Sequence, residues 1–166
     1  MRLFIAIHFS RQIKDVLLKC IDDLRSLAVS GNFTREENLH LTLAFIGESN
    51  DVRTINRILD GIAVPPFNLT VGGFGHFGYL YWVGVDRSPA LAELAGYLRR
   101  RLLEAGFDIE KRPFRPHITV ARQLEAALPI HADVPKTTMT VSRVSLMKSE
   151  RINGKLTYTE VYSREL

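Results

Sequence analysis

Apolar residues recur along the chain with two different periods, and the periods distinguish strands from helices. A period of two in Leu3–Phe9 predicts a strand. One face of this strand would carry Leu3, Ile5 and Ile7, and the other face Phe4, Ala6 and His8. In Arg11–Ala28 the apolar residues instead return every three or four positions. This spacing predicts an amphipathic helix with Ser10 as its N-cap.

The same two patterns predict the other elements. Further helices are expected at Asp51–Ala63 and Pro89–Ala105. Further strands are expected at Asn32–Arg35, Leu39–Ile46, Phe67–Val71, Tyr79–Val85, Lys111–Phe114, His117–Ala121, Met139–Met147 and Leu156–Tyr162. Asn153-Gly154 predicts a hairpin turn between the last two strands.

A short phrase occurs twice in strand-like surroundings. His40-Leu41-Thr42-Leu43 returns as His117-Ile118-Thr119-Val120, 77 positions later. The same offset places the first strand on Leu80–Asp86 and the first helix on the third helix. Sequence identity between the two halves is too low to establish a duplication, but the matching element order favours an internal pseudo-repeat. If a pseudo-dyad relates the halves, His40 and His117 face each other across it.

The repeated phrase has the composition of an acid–base site. Strand side chains alternate, so each copy presents one imidazole and one hydroxyl on the same face. Imidazole titrates near pH 6.5, so one histidine can be protonated while the other is not. Such a pair suits in-line attack on a phosphodiester, in which one histidine activates water and the other protonates the leaving oxygen. Thr42 and Thr119 can donate hydrogen bonds to the non-bridging oxygens.

Arg122 is a further candidate because it follows the second histidine by five residues. A guanidinium offers a permanently charged, forked donor to a phosphate. Whether Arg122 reaches the phosphate depends on how its strand ends, and a surface arginine is the alternative. The run Arg99–Arg101 is more typical of a solvated helix face than of a nucleic-acid patch.

Other chemistries find less support in the sequence. Two histidines could bind zinc, but a third ligand at useful spacing is missing, so we expect no metal and no other cofactor. A serine nucleophile is not favoured either, since the G-x-S-x-G elbow does not occur. Gly73–Gly78 matches G-x-G-x-x-G, yet the segment that follows is strand-like and supplies no helix N-terminus for a pyrophosphate. We interpret Gly73–Gly78 as a loop between strands, and His8, His76 and His131 as structural or surface residues.

Length and composition place few further limits. We expect 166 residues to form a single domain, 1–166, with an ordinary globular composition. A single cysteine, Cys20, excludes an intrachain disulfide and fits a reducing cytoplasm. We expect no signal peptide and no membrane partner. The net charge of +4 permits a polyanionic partner without requiring one.

The quoted residues resemble the two-histidine phosphoesterase superfamily, and within it the RNA 2′,3′-cyclic phosphodiesterases, also called 2′-5′ RNA ligases. Three segments carry most of the resemblance: Met1–Ile7, Asn38–Glu48 and Arg115–Arg122. Ser145–Ser149 and Gly154–Tyr158 also match. The resemblance implies an α+β, bilobal fold with two antiparallel-type sheets, helices outside and a central cleft.

The resemblance also implies an activity, the opening of a terminal 2′,3′-cyclic phosphate on RNA to a 2′-phosphomonoester, with reversible 2′-5′ RNA ligation as a possible second reaction. It makes His40 the proton donor, His117 the proton acceptor, and Thr42, Thr119 and Arg122 the phosphate contacts. We expect a monomer. A relative acting on another small cyclic phosphate, and a non-catalytic RNA or nucleotide binder, stay open. Phe9, Phe45, Trp82 and Phe114 are candidate base-stacking residues, although each is more typical of a core.

Overall fold

A computed structural model describes residues 1–166 of the protein, which form three α-helices and nine β-strands. The helices are α1 (Arg11–Leu27), α2 (Val52–Asp60) and α3 (Pro89–Glu104). The strands are β1 (Arg2–Ile7), β2 (Ser30–Phe33), β3 (Leu41–Glu48), β4 (Phe67–Phe77), β5 (Leu80–Val85), β6 (His117–Glu125), β7 (Thr137–Val141), β8 (Arg143–Ile152) and β9 (Lys155–Glu165). A short 3₁₀ helix, Glu36–Asn38, precedes β3.

Each α-helix begins at a side-chain cap. Ser10, Asp51 and Ser88 each accept a hydrogen bond from the backbone N–H three residues later, which satisfies a donor that the first turn leaves free. Pro89 occupies the first turn of α3, where its missing N–H costs nothing. The predicted helices are therefore confirmed to within a few residues. None of the helices is long and apolar enough to cross a membrane.

The strands form two antiparallel sheets, with the orders β3-β1-β8-β9 and β2-β6-β5-β4-β7. In each sheet the first strand of one half pairs with the strand that carries its histidine motif, β1 with β3 and β5 with β6. The halves also exchange strands, because β4 joins the second sheet and β8 returns to the first. The prediction of an α+β fold with two antiparallel sheets is thus confirmed.

The helices follow the same exchange. Helix α1 packs against β2, β6 and β7 of the second sheet, whereas α3 packs against β3 of the first sheet and β4 of the second. One cluster of 35 buried hydrophobic residues runs through both sheets and all three helices. Leu3, Ile5 and Ile7 belong to it, while Phe4 and Ala6 form a separate small cluster with Met147. The two faces predicted for the first strand are therefore correct.

Two strand predictions were wrong, each for an identifiable reason. Lys111–Phe114 is irregular backbone, because Pro113 and Pro116 cannot donate hydrogen bonds to a ladder. Met139–Met147 is interrupted at Ser142, where the chain passes from β7 in the second sheet to β8 in the first. The predicted hairpin around Asn153-Gly154 does join β8 to β9, and Asn153 adopts a φ of 52° as this turn requires.

The prediction of a loop at Gly73–Gly78 is wrong, because this segment is the end of β4 and the turn into β5. Gly75 pairs with Trp82 across the two strands. A Cβ atom on Gly75 would lie 2.3 Å from the indole ring, so only glycine leaves room for the tryptophan. The next segment is strand β5, as predicted, and α3 does not begin until Pro89.

Candidate active site

The fold brings the two histidine motifs together. Strands β3 and β6 belong to different sheets, yet they approach each other to within 8 Å between Cα atoms. Thr42 from the first motif and His117 from the second line one cavity of about 690 Å³. The strand predicted at Leu39–Ile46 begins only at Leu41 in the structure. His40 therefore lies one residue before β3 and not inside it.

Hydrogen bonds define how His40 presents its ring. Its Nδ1 lies 2.7 Å from the carbonyl oxygen of Asn38. A carbonyl can only accept, so Nδ1 carries a proton and donates it to that oxygen. The other nitrogen, Nε2, lies 2.9 Å from Oγ1 of Thr42. In the neutral ring Nε2 is therefore the basic nitrogen and accepts from the Thr42 hydroxyl.

His117 is held in the same way by its own half of the molecule. Its Nδ1 donates to the carbonyl oxygen of Arg115 at 2.8 Å, two residues earlier in the chain. Phe77 packs edge-on against the imidazole, with 5.5 Å between ring centroids. Nε2 of His117 has no partner within the protein. The two histidines thus share one tautomer, and neither Nε2 is bound to the backbone.

The surroundings of His40 disfavour its charged form. Phe4 and Tyr158 pack against the ring at centroid distances of 4.9 and 5.2 Å. Burial lowers the pKa of His40 below its usual value. The nearby charges of His8 and Arg122 lower this pKa further, whereas the hydrogen bond to Asn38 raises it. The imidazole is therefore neutral at neutral pH in the ligand-free protein.

Sequence reasoning missed two residues beside His40. His8 was interpreted as structural or surface, but it is half-buried near His40, with Nε2 3.3 Å from the sulfur of Met147. Burial lowers the pKa of His8 as well. The alternation of β1, which puts His8 on the face of Phe4, was the signal that could have placed it. Tyr158 belongs to β9, which is distant from His40 in the sequence, and no local pattern predicts its position.

A β-bulge at Val120 decides where Arg122 points. Two consecutive residues of β5 pair with Thr119 and Ala121, so Val120 is an extra residue in β6. Without the bulge, alternation would put Arg122 on the face opposite Thr119. With it, Val120 and Ala121 are both buried in the core and Arg122 is exposed. Its positive charge is one of the influences that lower the pKa of His40.

The first half carries the same bulge. Two consecutive residues of β1 pair with Thr42 and Ala44, so Leu43 is the extra residue in β3. Leu43 and Ala44 are both buried, and Phe45 then returns to the face of Thr42 with 47% of its surface exposed. Phe45 is thus the structural counterpart of Arg122. The two bulges give this position the same place in both halves, and Phe45 lines the cavity beside His117.

The cleft offers no cluster of metal ligands. The chain contains no group of three or more His, Cys, Asp or Glu side chains that could hold a metal ion. The polar groups that the fold gathers there are instead imidazoles, hydroxyls and a guanidinium. Two imidazoles of one tautomer, each with a threonine two residues later, lie between two pseudo-symmetric sheets. This arrangement defines a two-histidine phosphoesterase.

Comparison with known proteins agrees with this class. The sequence profile of the 2′-5′ RNA ligase superfamily matches residues 13–153. An RNA 2′,3′-cyclic phosphodiesterase of Thermotoga maritima is 36% identical over 74% of this chain and 70% of its own length. One from Escherichia coli K12 is 29% identical, with 95% and 92% coverage. The chain therefore belongs to the 2′-5′ RNA ligase superfamily.

Solved structures give the same assignment. The crystal structure of E. coli LigT complexed with 3′-AMP superposes with a TM-score of 0.87 and 28% identity, covering 99% of this chain and 97% of that one. The family resemblance seen in the sequence, and the α+β fold that it implied, are thus confirmed.

Proposed function

We propose that this protein hydrolyses the terminal 2′,3′-cyclic phosphate of RNA to a 2′-phosphomonoester without a metal ion, residues 1–166 acting as one bilobal catalytic unit. The observation that carries the proposal is the pair of imidazoles held in one tautomer by Asn38 and Arg115. Nε2 of His117 has no partner in the protein, and Nε2 of His40 meets only the Thr42 hydroxyl. The names of the relatives support the substrate class, since they are RNA 2′,3′-cyclic phosphodiesterases.

In this mechanism Nε2 of His117 accepts a proton from the attacking water, whose oxygen forms the new bond to phosphorus. The bond from phosphorus to the 3′ oxygen breaks on the opposite side, and His40 donates a proton to that oxygen. Each proton transfer contributes about 10² to 10⁴ in rate. The histidines exchange their protonation states in one turnover, and solvent restores them.

The low pKa of His40 fits a proton donor that becomes protonated when the substrate binds. In the free protein burial favours the neutral ring, so the acid form is populated when the anionic cyclic phosphate binds beside it. A donor with a low pKa also releases its proton readily to the leaving oxygen.

Thr42, Thr119 and Arg122 hold the phosphate in this proposal. The Thr42 hydroxyl already lies 2.9 Å from Nε2 of His40, so it can turn from the imidazole to a non-bridging oxygen. The backbone oxygen of Thr119 accepts a hydrogen bond from Thr34, which ties this part of β6 to the neighbouring segment. Arg122 adds a forked donor whose charge offsets the charge that develops on phosphate.

The test is hydrolysis of a short RNA that ends in a 2′,3′-cyclic phosphate, in the presence of EDTA. The product is identified by its mass and by whether a 2′-phosphate-specific enzyme removes the phosphate. We expect a 2′-phosphate, an unchanged rate with EDTA, and loss of turnover in His40→Ala and His117→Ala. Abolition of turnover by EDTA, or full activity of either variant, would contradict the mechanism. Binding of the RNA without turnover would indicate the non-catalytic binder instead.

The superfamily description favours a second reaction at the same site. If the 5′-hydroxyl of another RNA took the place of water, the same proton transfers would form a 2′-5′ linkage. Incubation of a cyclic-phosphate RNA with a 5′-hydroxyl RNA at high concentration tests this reaction, and a product of summed length is expected. We further propose that the protein acts as a monomer in a reducing compartment, where the buried thiol of Cys20 stays reduced.

A further inference from the structure

The outermost strand of the first sheet is tied to the short 3₁₀ turn that precedes the first histidine motif. Strand β9 pairs only with β8, so one of its edges has no strand neighbour. The backbone oxygen of Leu156 on β9 accepts a hydrogen bond from Nδ2 of Asn38 at 3.0 Å and a second one from the guanidinium of Arg35. None of these three residues lines the cavity that contains Thr42 and His117. The contact therefore lies outside that cavity.

Asn38 is buried, although its side chain is polar. Only 7% of its surface is exposed, and Thr137 and Ser145 are the only other buried residues with polar side chains. A buried amide without a hydrogen-bond partner is costly, whereas one with a partner constrains the groups on both sides of the bond. Because Asn38 donates its amide proton to Leu156, the position of the turn depends on the position of β9.

The turn and β9 also hold His40 between them. The backbone oxygen of Asn38 accepts the hydrogen bond from Nδ1 of His40 at 2.7 Å. Tyr158, two residues after Leu156 on β9, packs perpendicular to the imidazole with 5.2 Å between ring centroids. One strand thus contacts the ring directly and fixes its Nδ1 atom by way of Asn38.

The second half of the molecule has no equivalent tie. The offset of 77 residues places Asn38 on Arg115, and the backbone oxygen of Arg115 holds Nδ1 of His117 in the same way. The side chain of Arg115 is exposed, and its guanidinium makes no hydrogen bond within the protein. Only His40 therefore has its supporting carbonyl fixed by a strand that is distant in sequence.

We propose that the side chain of Asn38 is a positioning residue for the proton donor. By tying the turn to β9, it keeps its own backbone oxygen on Nδ1 of His40 and so orients Nε2 towards the leaving oxygen. The inference rests on the proposed function, in which His40 is the donor. A proton donor must lie within hydrogen-bond distance of its acceptor, so loss of this orientation slows the breaking of the bond to the 3′ oxygen. Asn38 touches no substrate in this scheme, and substrate binding does not depend on it.

The experiment replaces Asn38 with leucine, which has a similar shape and no donor. We expect Asn38→Leu to lower kcat on a cyclic-phosphate RNA about 10- to 10²-fold, the effect of a small misplacement, and to leave KM within about twofold. The second substrate is the same RNA with sulfur at the bridging 3′ position, because a thiolate departs without help from an acid. On this substrate the loss of kcat should shrink to less than about threefold.

Thr137→Val is the matched control. Thr137 is also buried and donates one hydrogen bond, to the backbone oxygen of Pro135 at 3.1 Å, but it lies on β7 in the second sheet. We expect both variants to lower the melting temperature, because each loses a hydrogen bond donated by a buried side chain, and only Asn38→Leu to lower kcat. In long-range proton–nitrogen NMR spectra, His40 should show a single tautomer in the unaltered protein and in Thr137→Val. It should show a mixture of tautomers in Asn38→Leu.

Three results would overturn the inference while leaving the proposed function intact: an unchanged kcat in Asn38→Leu, an equal fall of kcat on the oxygen and sulfur substrates, or a single tautomer of His40 in that variant. If circular dichroism shows that Asn38→Leu does not fold, Asn38→Ser takes its place and the same pattern is expected. Absence of turnover of the cyclic-phosphate RNA by the unaltered protein would overturn the proposed function and this inference together.

Discussion

Phe45 and Arg122 occupy equivalent positions in the two halves of the protein, each three residues after the motif threonine and each following a bulge. The bulges at Leu43 and Val120 leave both side chains exposed, and Phe45 lines the cavity beside His117. One half thus presents an aromatic ring where the other half presents a cation. A site whose histidines are nearly symmetric is made asymmetric at this position, and the two halves can take different parts of the substrate.

The roles of the two histidines can be separated with a leaving group that needs no proton. In a substrate with sulfur at the bridging 3′ position, a thiolate departs without help from an acid. We expect His40→Ala to lose about 10² to 10⁴ in kcat on the normal substrate and far less on the sulfur analogue. His117→Ala should lose the same factor on both. The reverse pattern would exchange the two roles.

Arg122 should influence both the phosphate and the protonation of His40. Its positive charge helps to lower the pKa of His40, so Arg122→Gln should raise that pKa in an NMR titration of the imidazole. We expect kcat to fall about 10²-fold at the same time, as for other donors to developing charge. Arg122→Lys is the matched control, because it keeps the charge and loses the fork. An unchanged His40 titration in Arg122→Gln would show that the bulge does not direct the guanidinium to the site.

Gly75 should be essential for the position of Trp82. A methyl group there would lie 2.3 Å from the indole, so Gly75→Ala must displace the ring at a cost of about 1–3 kcal/mol. Trp82 is the only tryptophan, so the fluorescence of the protein reports the displacement directly. Trp82 contacts Phe77, which contacts His117, and a severalfold lower kcat is therefore expected. Gly96→Ala in α3 has open space around it and should change neither signal.

Stability should fall as the solution is acidified through the usual titration range of histidine. Burial lowers the folded-state pKa of His40 and of His8 below 6.5, so below that pH the unfolded chain binds more protons than the folded protein. Proton uptake then favours unfolding until the folded-state pKa is reached. Melting temperatures at pH 7.5 and 5.5 should show a smaller difference in His40→Gln than in the unaltered protein. An equal difference in His40→Gln and in the unaltered protein would contradict this prediction.

Much of the fold could be predicted from the sequence because it depends on local periodicity. Helical spacing located α1, α2 and α3, and alternation assigned the two faces of β1 correctly. The break at Ser142 could not be read in this way. The apolar pattern of Met139–Met147 satisfies either one long strand or two short ones, and only the pairing of β7 with β4 and of β8 with β1 distinguishes them.

By itself the sequence predicted the candidate chemistry of the site, because the repeated histidine and threonine are two residues apart and therefore share a face in strand geometry. The tertiary structure decided the rest of the environment. Pairing of β3 with β1 and of β6 with β5 contains the bulges that set the positions of Phe45 and Arg122. Packing across the first sheet brings Tyr158 and His8 to His40 and lowers its pKa. These features depend on which strands become neighbours, and neighbours distant in sequence leave no local pattern.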